Sequence, residues 1–167
     1  MSEAQKPDFD ARALRDAFGA FATGVTVIST STEEGDHGMT ANAFMSVSLD
    51  PPLIAISLDR KSRMHEKVRA SGRYAVNILA QGMEHVAMHF AGRHNPELAN
   101  FFVNHHHLPV APGAVAVFLT EVAQEVEAGD HTLFIGRVLH LERDPKAAPL
   151  LFSSGSFHVL SAAGAPS

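Results

Sequence analysis

Residues 38–67 read GMTANAFMSVSLDPPLIAISLDRKSRMHEK, and this stretch is the most informative about the fold. In an extended strand, side chains two positions apart share a face. The first part of the stretch would therefore place on one side Thr40, Asn42, Phe44 and Ser46. Asp50-Pro51-Pro52 ends this strand, because proline has no N–H for a ladder and forces its predecessor out of helical space. The apolar run at residues 53–58 then predicts a second strand.

The exit from the second strand carries charge. Asp59-Arg60-Lys61 is followed by Ser62, whose hydroxyl can cap a helix that begins at Arg63. A helix start presents backbone N–H groups without partners, and such ends bind phosphate well. These residues therefore predict a site for an anionic, partly apolar ligand. A capped and solvated helix start is the plainer interpretation, and both stay open at this point.

Composition limits the classes of protein. The chain has 167 residues, a formal net charge of −5 and no cysteine. The negative charge argues against a nucleic-acid surface, and the lack of cysteine removes disulfides and thiolate nucleophiles. We expect one domain over residues 1–167, ordered from about 8 to 160 with flexible tails. We also expect no secretory leader, no membrane-spanning helix and a cytoplasmic location.

The remaining patterns predict short elements that suit a β-rich fold. Amphipathic spacing predicts helices at residues 8–21 and 81–91. Apolar or alternating runs predict strands at residues 25–30, 73–79, 114–127, 131–142 and 150–160. Residues 92–113 show no regular pattern and predict a long loop. Six or seven strands with few helices predict a closed antiparallel barrel with helices on its rim.

The common catalytic motifs do not occur, and two histidine features stay ambiguous. There is no G-x-G-x-x-G, Walker, G-x-S-x-G or H-E-x-x-H sequence. The run His105-His106-His107 could bind a metal, but a solvated loop is the plainer interpretation because no carboxylate partners are positioned beside it. Asp130-His131 follows a glycine and enters a strand, which puts the imidazole either at a barrel mouth or simply on the surface.

Seven different short motifs, each present once, are spread over most of the chain. They are TGVTV (23–27), GMTANAF (38–44), SVSLDPPL (46–53), Ser62-Arg63, SGRYAVN (71–77), GDHTLFIG (129–136) and PLLF (149–152) with Gly155. Their order and spacing resemble those of the flavin reductase-like, FMN-binding split-barrel family. Within that family, the chain is similar to the reductase components of two-component flavin-dependent monooxygenases.

The resemblance implies a mostly β fold, a six-stranded antiparallel split β-barrel with peripheral helices that forms a homodimer and binds FMN or FAD near the subunit interface. It implies ring and ribityl contacts from Met39, Thr40, Ala41, Asn42 and Ser46. It implies phosphate contacts from Ser57, Leu58, Asp59, Lys61, Ser62 and Arg63. Phe90 would lie near the flavin and His131 beside the nicotinamide as the catalytic residue, and no metal is implied.

The implied activity is oxidation of NADH or NADPH with hydride transfer to FMN or FAD. Reduced flavin would then diffuse to a partner monooxygenase. The chain departs from the family's usual Arg-Phe-Ala at His89-Phe90-Ala91. Two other functions stay open: a flavin-binding or carrier protein without efficient nicotinamide turnover, and a histidine-rich metal-binding module.

Overall fold

The structure is a computed structural model that describes residues 4–163. Its helices are short. Helix α1 is Ala11–Gly19, α2 is Arg63–Ser71, α3 is Glu84–His89, and a 3₁₀ turn covers Pro96–Leu98. No helix within residues 4–163 is long and apolar enough to cross a membrane.

Strands make up most of the regular structure. In chain order they are β1 (Thr23–Gly24), β2 (Thr26–Thr32), β3 (Gly35–Ala41), β4 (Phe44–Leu49), β5 (Pro52–Asp59), β6 (Arg73–Ile78), β7 (Val103–His105), β8 (Leu108–Val110), β9 (Ala116–Ala128), β10 (His131–Arg143), β11 (Leu150–Ser153) and β12 (Ser156–Val159).

Seven of these strands form one antiparallel sheet in the order β3-β2-β6-β9-β10-β5-β4. Its outermost strands, β3 and β4, follow each other in the chain and are separated only by Asn42 and Ala43. A sheet whose opposite edges are joined by two residues must curl until those edges approach each other. The N–H of Ser57 donates to the carbonyl of Ala43 (3.2 Å) and fastens the join to β5.

The curled sheet is the predicted split barrel. Within the described residues no ladder pairs β3 with β4, so the closed ring that the hairpin pattern alone predicts does not form. If β3 and β4 are counted as one bent strand, six strands surround the interior, as the resemblance implies.

The prediction of one continuous strand up to the double proline is wrong at Asn42. The N–H of Phe44 donates to the carbonyl of Asn42 (3.0 Å), which makes a tight turn in place of extended backbone. The turn changes which side chains face inward, so Phe44 packs against the core while Met45 is 57% exposed. Alternation of side chains cannot reveal a turn that depends on one backbone hydrogen bond.

The barrel interior is filled around two aromatic side chains. Tyr74 and Phe134 are fully buried among aliphatic residues of β2, β5 and α2. Burial of each such side chain contributes about 1.5–3 kcal/mol. The Tyr74 hydroxyl donates to the carbonyl of Phe134 (2.9 Å), and burial raises the pKa of that hydroxyl. A Cβ on Gly136 would lie 2.5 Å from the same hydroxyl, so only glycine leaves room for it.

The first and third helices are shorter than predicted, and the second begins at Arg63 as predicted. Helix α1 begins after Asp10, whose carboxylate accepts the N–H of Ala13 (2.8 Å). Helix α2 is capped by Ser62 and ends at Gly72 in the left-handed region, with φ of 68°. The predicted helix at 81–91 reduces to α3, whose start has no side-chain cap.

Segments outside the barrel are more ordered than predicted. Residues 92–113 contain the 3₁₀ turn and the hairpin β7–β8 in place of an irregular loop. The predicted last strand is the hairpin β11–β12, which pairs with β1 in a separate three-stranded sheet. Residues 1–3 and 164–167 lie outside the described residues. The flexible tails and the single domain over residues 1–167 therefore stay predictions.

Candidate functional site

The loop between β5 and α2 is built by its own hydrogen bonds. The Asp59 carboxylate accepts the N–H of Lys61 (2.8 Å), and the Asp59 carbonyl accepts the N–H (3.0 Å) and hydroxyl (2.8 Å) of Ser62. The Ser62 hydroxyl also accepts the N–H of His65 (3.2 Å), so it caps α2. The side chains of Lys61 and Arg63 are exposed, which places two cations beside the positive end of a helix.

Strand β10 brings His131 next to this loop. His131 is the antiparallel partner of Asp59, and the N–H of Arg60 donates to the carbonyl of Asp130 (3.0 Å). His131 Nδ1 lies 2.7 Å from Asp130 Oδ1, and this hydrogen bond lowers the pKa of the Asp130 carboxyl. With Nδ1 donating to Asp130, a neutral imidazole keeps Nε2 as a hydrogen-bond acceptor.

A buried contact supports both the loop and His131. The hydroxyl of Thr132, which follows His131, lies 2.8 Å from His65 Nε2. His65 belongs to α2 and is 4% exposed, and its burial lowers its pKa. The contact joins the helix that the loop begins to the strand that His131 begins.

The bend at Asn42 holds a second group of predicted residues. Thr40 is tied to α3, because its N–H donates to the carbonyl of Phe90 (3.0 Å) and its hydroxyl to the carbonyl of Ala87 (2.5 Å). The side chains of Asn42 and Ser46 are exposed on either side of the bend. Asn42 and Ser46 are therefore open to a ligand, whereas the Thr40 hydroxyl donates within the fold.

The other predicted residues near the bend differ in burial. Leu58 is fully buried in the core, so only its backbone could contact a ligand. Ala41 and Ser57 are half-buried, and Ser57 is bonded through its N–H to Ala43 at the bend. Met39 packs partly against the core.

A cleft of about 850 Å³ opens beside β3, the start of α2 and the segment after α3. We call it the aromatic cleft. The residues that line it include Met39, Arg63, His89, Phe90, Phe101 and Phe102. The rings of Phe90 and Phe102 stack at 4.9 Å with planes 24° apart. They lie on the backbone of Gly38, where a Cβ would be 2.7 Å from both rings.

The aromatic cleft includes three of the predicted residues, Met39, Arg63 and Phe90. Sequence reasoning missed His89 as a lining residue and missed Phe101 and Phe102 altogether. The adjacent phenylalanines in an otherwise polar segment were a usable signal, because large aromatic side chains are seldom left in solvent without a partner surface.

A second cleft of about 900 Å³ lies between the β2–β3 hairpin and α2. Asp36, His37 and Arg63 line both clefts, so the two are neighbours. Lys67 Nζ lies 2.7 Å from Glu34 Oε2, and this contact lowers the pKa of Glu34. The pKa of His37 is lowered by burial and then by the nearby charges of Lys67 and Arg63.

The histidine run is engaged elsewhere. The ring of His106 stacks on that of His140 at 3.8 Å, and His105 Nδ1 lies 2.8 Å from Glu142 Oε1. These contacts hold the β7–β8 hairpin against β10. Among residues 4–163, no three histidine, cysteine, aspartate or glutamate side chains are grouped so that they could hold a metal ion. Nothing in this geometry favours the metal-binding module.

Comparison with known proteins gives the family. The flavin reductase like domain matches residues 18–161. The chain belongs to this family. It is 44% identical to an NADH-dependent flavin reductase from a Rhodococcus species, over 90% of this chain and 87% of that protein.

Solved structures agree with the assignment. The flavin reductase PheA2 in its native state matches with a TM-score of 0.87 and 47% identity, over 92% of this chain and 100% of that one. The styrene monooxygenase flavin reductase of Pseudomonas putida S12 matches with a TM-score of 0.81 and 40% identity, over 90% and 99%. The family resemblance and the split-barrel fold are therefore confirmed for this flavin reductase-like chain. The roles of its individual site residues stay predictions.

Replacing Gly38 with alanine should destabilise the protein at the aromatic cleft. The new Cβ would lie 2.7 Å from ring carbons of Phe90 and Phe102. Forcing packed groups apart in this way costs about 1–3 kcal/mol. Urea unfolding would measure the change in the free energy of unfolding.

Gly24→Ala is the matched control, because nothing lies within 4 Å of the position its Cβ would take. A Gly38→Ala variant as stable as the Gly24→Ala variant would contradict the close approach of the two rings.

Proposed function

We propose that this protein is an NADH-dependent flavin reductase that reduces FMN or FAD and supplies reduced flavin to a separate monooxygenase. The observation that carries the proposal is the meeting, at one end of the barrel, of a cationic helix start, His131 and the aromatic cleft. The Rhodococcus relative is named as NADH-dependent, which supports the choice of reductant. The styrene monooxygenase reductase supports the kind of partner.

The loop at the start of α2 fits a flavin phosphate. Lys61 and Arg63 are exposed there, and the helix adds its own positive end. The Ser62 hydroxyl already caps the helix, so we assign to Ser62 a supporting role in the loop and leave direct charge pairing to the two cations.

The bend fits the polar edge and apolar face of a flavin ring. Asn42 and Ser46 offer exposed polar groups, and Met39 and Ala41 offer apolar surface close to them. A flavin held by these residues would supply the hydride acceptor at N5, and the reduced nicotinamide would supply the hydride from C4. The protein's residues bind and orient the two rings.

The position of His131 suits a contact that orients the nicotinamide dinucleotide. Its side chain is 42% exposed, and in the neutral form of the ring the hydrogen bond to Asp130 leaves Nε2 as an acceptor. Hydride transfer requires no proton from the protein to begin. The imidazole would therefore accept a hydrogen bond from the dinucleotide and fix its orientation.

The deciding experiment mixes the purified protein with each flavin and each nicotinamide and follows the absorbance of the reduced nicotinamide. Turnover supports the reductase. Bound flavin without turnover would assign the protein to the flavin carriers. If the protein neither bound flavin nor oxidised the nicotinamide, both assignments would be overturned.

Two exposed apolar surfaces support a homodimer. No residue of α1 is buried: Phe18 within it is 68% exposed, and Phe21 just after it is 79% exposed. Strand β4 is an edge of the sheet, and its side chains Met45, Val47 and Leu49 are 57%, 43% and 97% exposed. Exposed edges and apolar patches of this kind mark surfaces that pair with another chain. We propose a second copy as the occupant, since the bend in the flavin site adjoins β4.

Light scattering should give the mass of a dimer at micromolar concentration. Lysine in place of Leu49 or Phe21 should shift the protein toward monomer, because stable interfaces of this class bury upward of about 2,000 Å² and do not tolerate an unpaired charge. Leu141→Lys is the control, as Leu141 is 65% exposed on β10. A monomeric wild type would contradict the dimer.

Removing the side chain of Lys61 or Arg63 should weaken FMN binding about tenfold or more, since a charge-assisted hydrogen bond contributes about 1.5–3 kcal/mol. Riboflavin, which has no phosphate, should lose little affinity. Fluorescence titration measures both dissociation constants. Arg69→Ala is the control, because Arg69 lies on the same helix but pairs with Glu125 (3.0 Å). Equal losses for FMN and riboflavin would refute the phosphate assignment.

His131→Ala should raise the Michaelis constant for NADH, or slow hydride transfer, by about ten- to a hundredfold. The flavin dissociation constant should stay nearly unchanged, since His131 is assigned to the nicotinamide side. Asp130→Asn should have a smaller effect in the same direction, because it perturbs only the tautomer. Stopped-flow reduction of the flavin-loaded variants measures this, and wild-type rates at every NADH concentration would remove His131 from the site.

A further inference from the structure

Neither the packing of the fold nor the proposed flavin contacts assign a role to the Nε2 atom of His89. It is the last residue of α3, it is half-buried, and it lines the aromatic cleft. The backbone N–H of Asn95 donates to its Nδ1 (2.8 Å). A neutral imidazole carries one proton, so a ring that accepts at Nδ1 carries that proton on Nε2. The side chain therefore presents a hydrogen-bond donor.

The protonation state of His89 is fixed by its surroundings. Burial, and then the charge of His94, lower its pKa below the ordinary 6.5. Protonation would also place a second N–H on Nδ1, directly against the N–H of Asn95. The ring is therefore neutral at neutral pH.

The donor is open to a ligand. The only hydrogen bond of the His89 side chain within residues 4–163 is the one to Asn95. Thr23 Oγ1 is the only side-chain polar atom in that range that is both buried and without a partner, so the unpaired Nε2–H of His89 is not shut off from solvent. Its direction is held by the edge-on packing of the ring against Phe90, with centroids 4.6 Å apart and planes at 83°.

The rest of the cleft indicates the class of ligand. Phe90, Phe101 and Phe102 provide flat apolar surfaces, and the exposed Arg63 stands at its margin. A volume of about 850 Å³ is large enough for a ligand of nucleotide size. A planar ring joined to ribose and phosphate matches these walls, and the proposed reaction has such a substrate in the reduced nicotinamide dinucleotide.

We propose that the aromatic cleft binds the nicotinamide dinucleotide and that His89 donates its Nε2–H to an oxygen of that substrate. The inference rests on the proposed reductase function. Arg63, Met39 and Phe90 belong both to the cleft and to the predicted flavin site, so a dinucleotide held here lies beside the flavin.

Two substitutions separate the proposed hydrogen-bond donor at Nε2 of His89 from the acceptor at Nδ1 that binds the N–H of Asn95. In His89→Asn the amide oxygen can still accept the N–H of Asn95, but the donor at the Nε2 position is lost. In His89→Gln the amide nitrogen lies near the Nε2 position and restores the donor. His85→Asn, at an exposed position on the same helix, is the control.

Steady-state and stopped-flow kinetics with saturating flavin give the Michaelis constant for NADH, kcat and the flavin dissociation constant. His89→Asn should raise the Michaelis constant about three- to tenfold, the effect of one neutral hydrogen bond. Its kcat and flavin affinity should stay near wild type, and His89→Gln should recover most of the loss. Long-range proton–nitrogen NMR of the wild type should find the Nε2–H tautomer above neutral pH, which tests the donor without any variant.

Several results would overturn the inference: an unchanged Michaelis constant in His89→Asn, equal losses in the two variants, weakened flavin binding, or an Nδ1–H tautomer. Failure of the proposed function is distinguishable, because it appears as absent NADH oxidation in the wild type. That result would overturn both proposals, whereas an active wild type with an indifferent His89→Asn variant overturns only this one.

Discussion

The covalent join between the two edges of one sheet is the constraint on which the rest of the structure depends. Strands β3 and β4 are opposite ends of the seven-stranded order, yet only Asn42 and Ala43 separate them. The sheet must therefore curl, and the curl creates both an interior for Tyr74 and Phe134 and a bend where polar groups face outward. Asn42, one of the two residues of this join, is also one of those that the family resemblance assigns to the flavin ring.

Helix α2 contributes two chemically different parts to the candidate site. Lys61 in the loop before the helix and Arg63 at its first position are exposed to solvent, while His65, two residues further on, is buried and reaches Thr132 next to His131. One helix thus supplies charge at its start and support behind the imidazole. The aromatic cleft adds flat apolar surface and the His89 donor on the other side of Arg63. The groups proposed for the two ligands are therefore neighbours, and they share Arg63, Met39 and Phe90.

Sequence reasoning succeeded where the structure depends on local chemistry. The Ser62 cap follows from N-cap preference, and the placement of His131 follows from a glycine turn into a strand. The use of the Thr40 hydroxyl by α3 and the placing of Phe90 and Phe102 over Gly38 depend on residues far apart in the chain, and the turn at Asn42 depends on a single backbone hydrogen bond. A pattern of neighbouring side chains carries no information on such contacts. The family resemblance supplied the predicted position of the flavin, which spacing alone left open.

The ladder between β5 and β10 has a consequence for how the molecule folds. It pairs Asp59 with His131 and Leu53 with Arg137, partners 72 and 84 positions apart. Pairings between such distant segments form slowly, after the entropy of closing the intervening chain is lost. Local hairpins such as β4–β5 and β9–β10 can form earlier, but neither contains both the loop before α2 and His131. The site is therefore completed late in folding, and an opening of this ladder would separate its two halves in a single event.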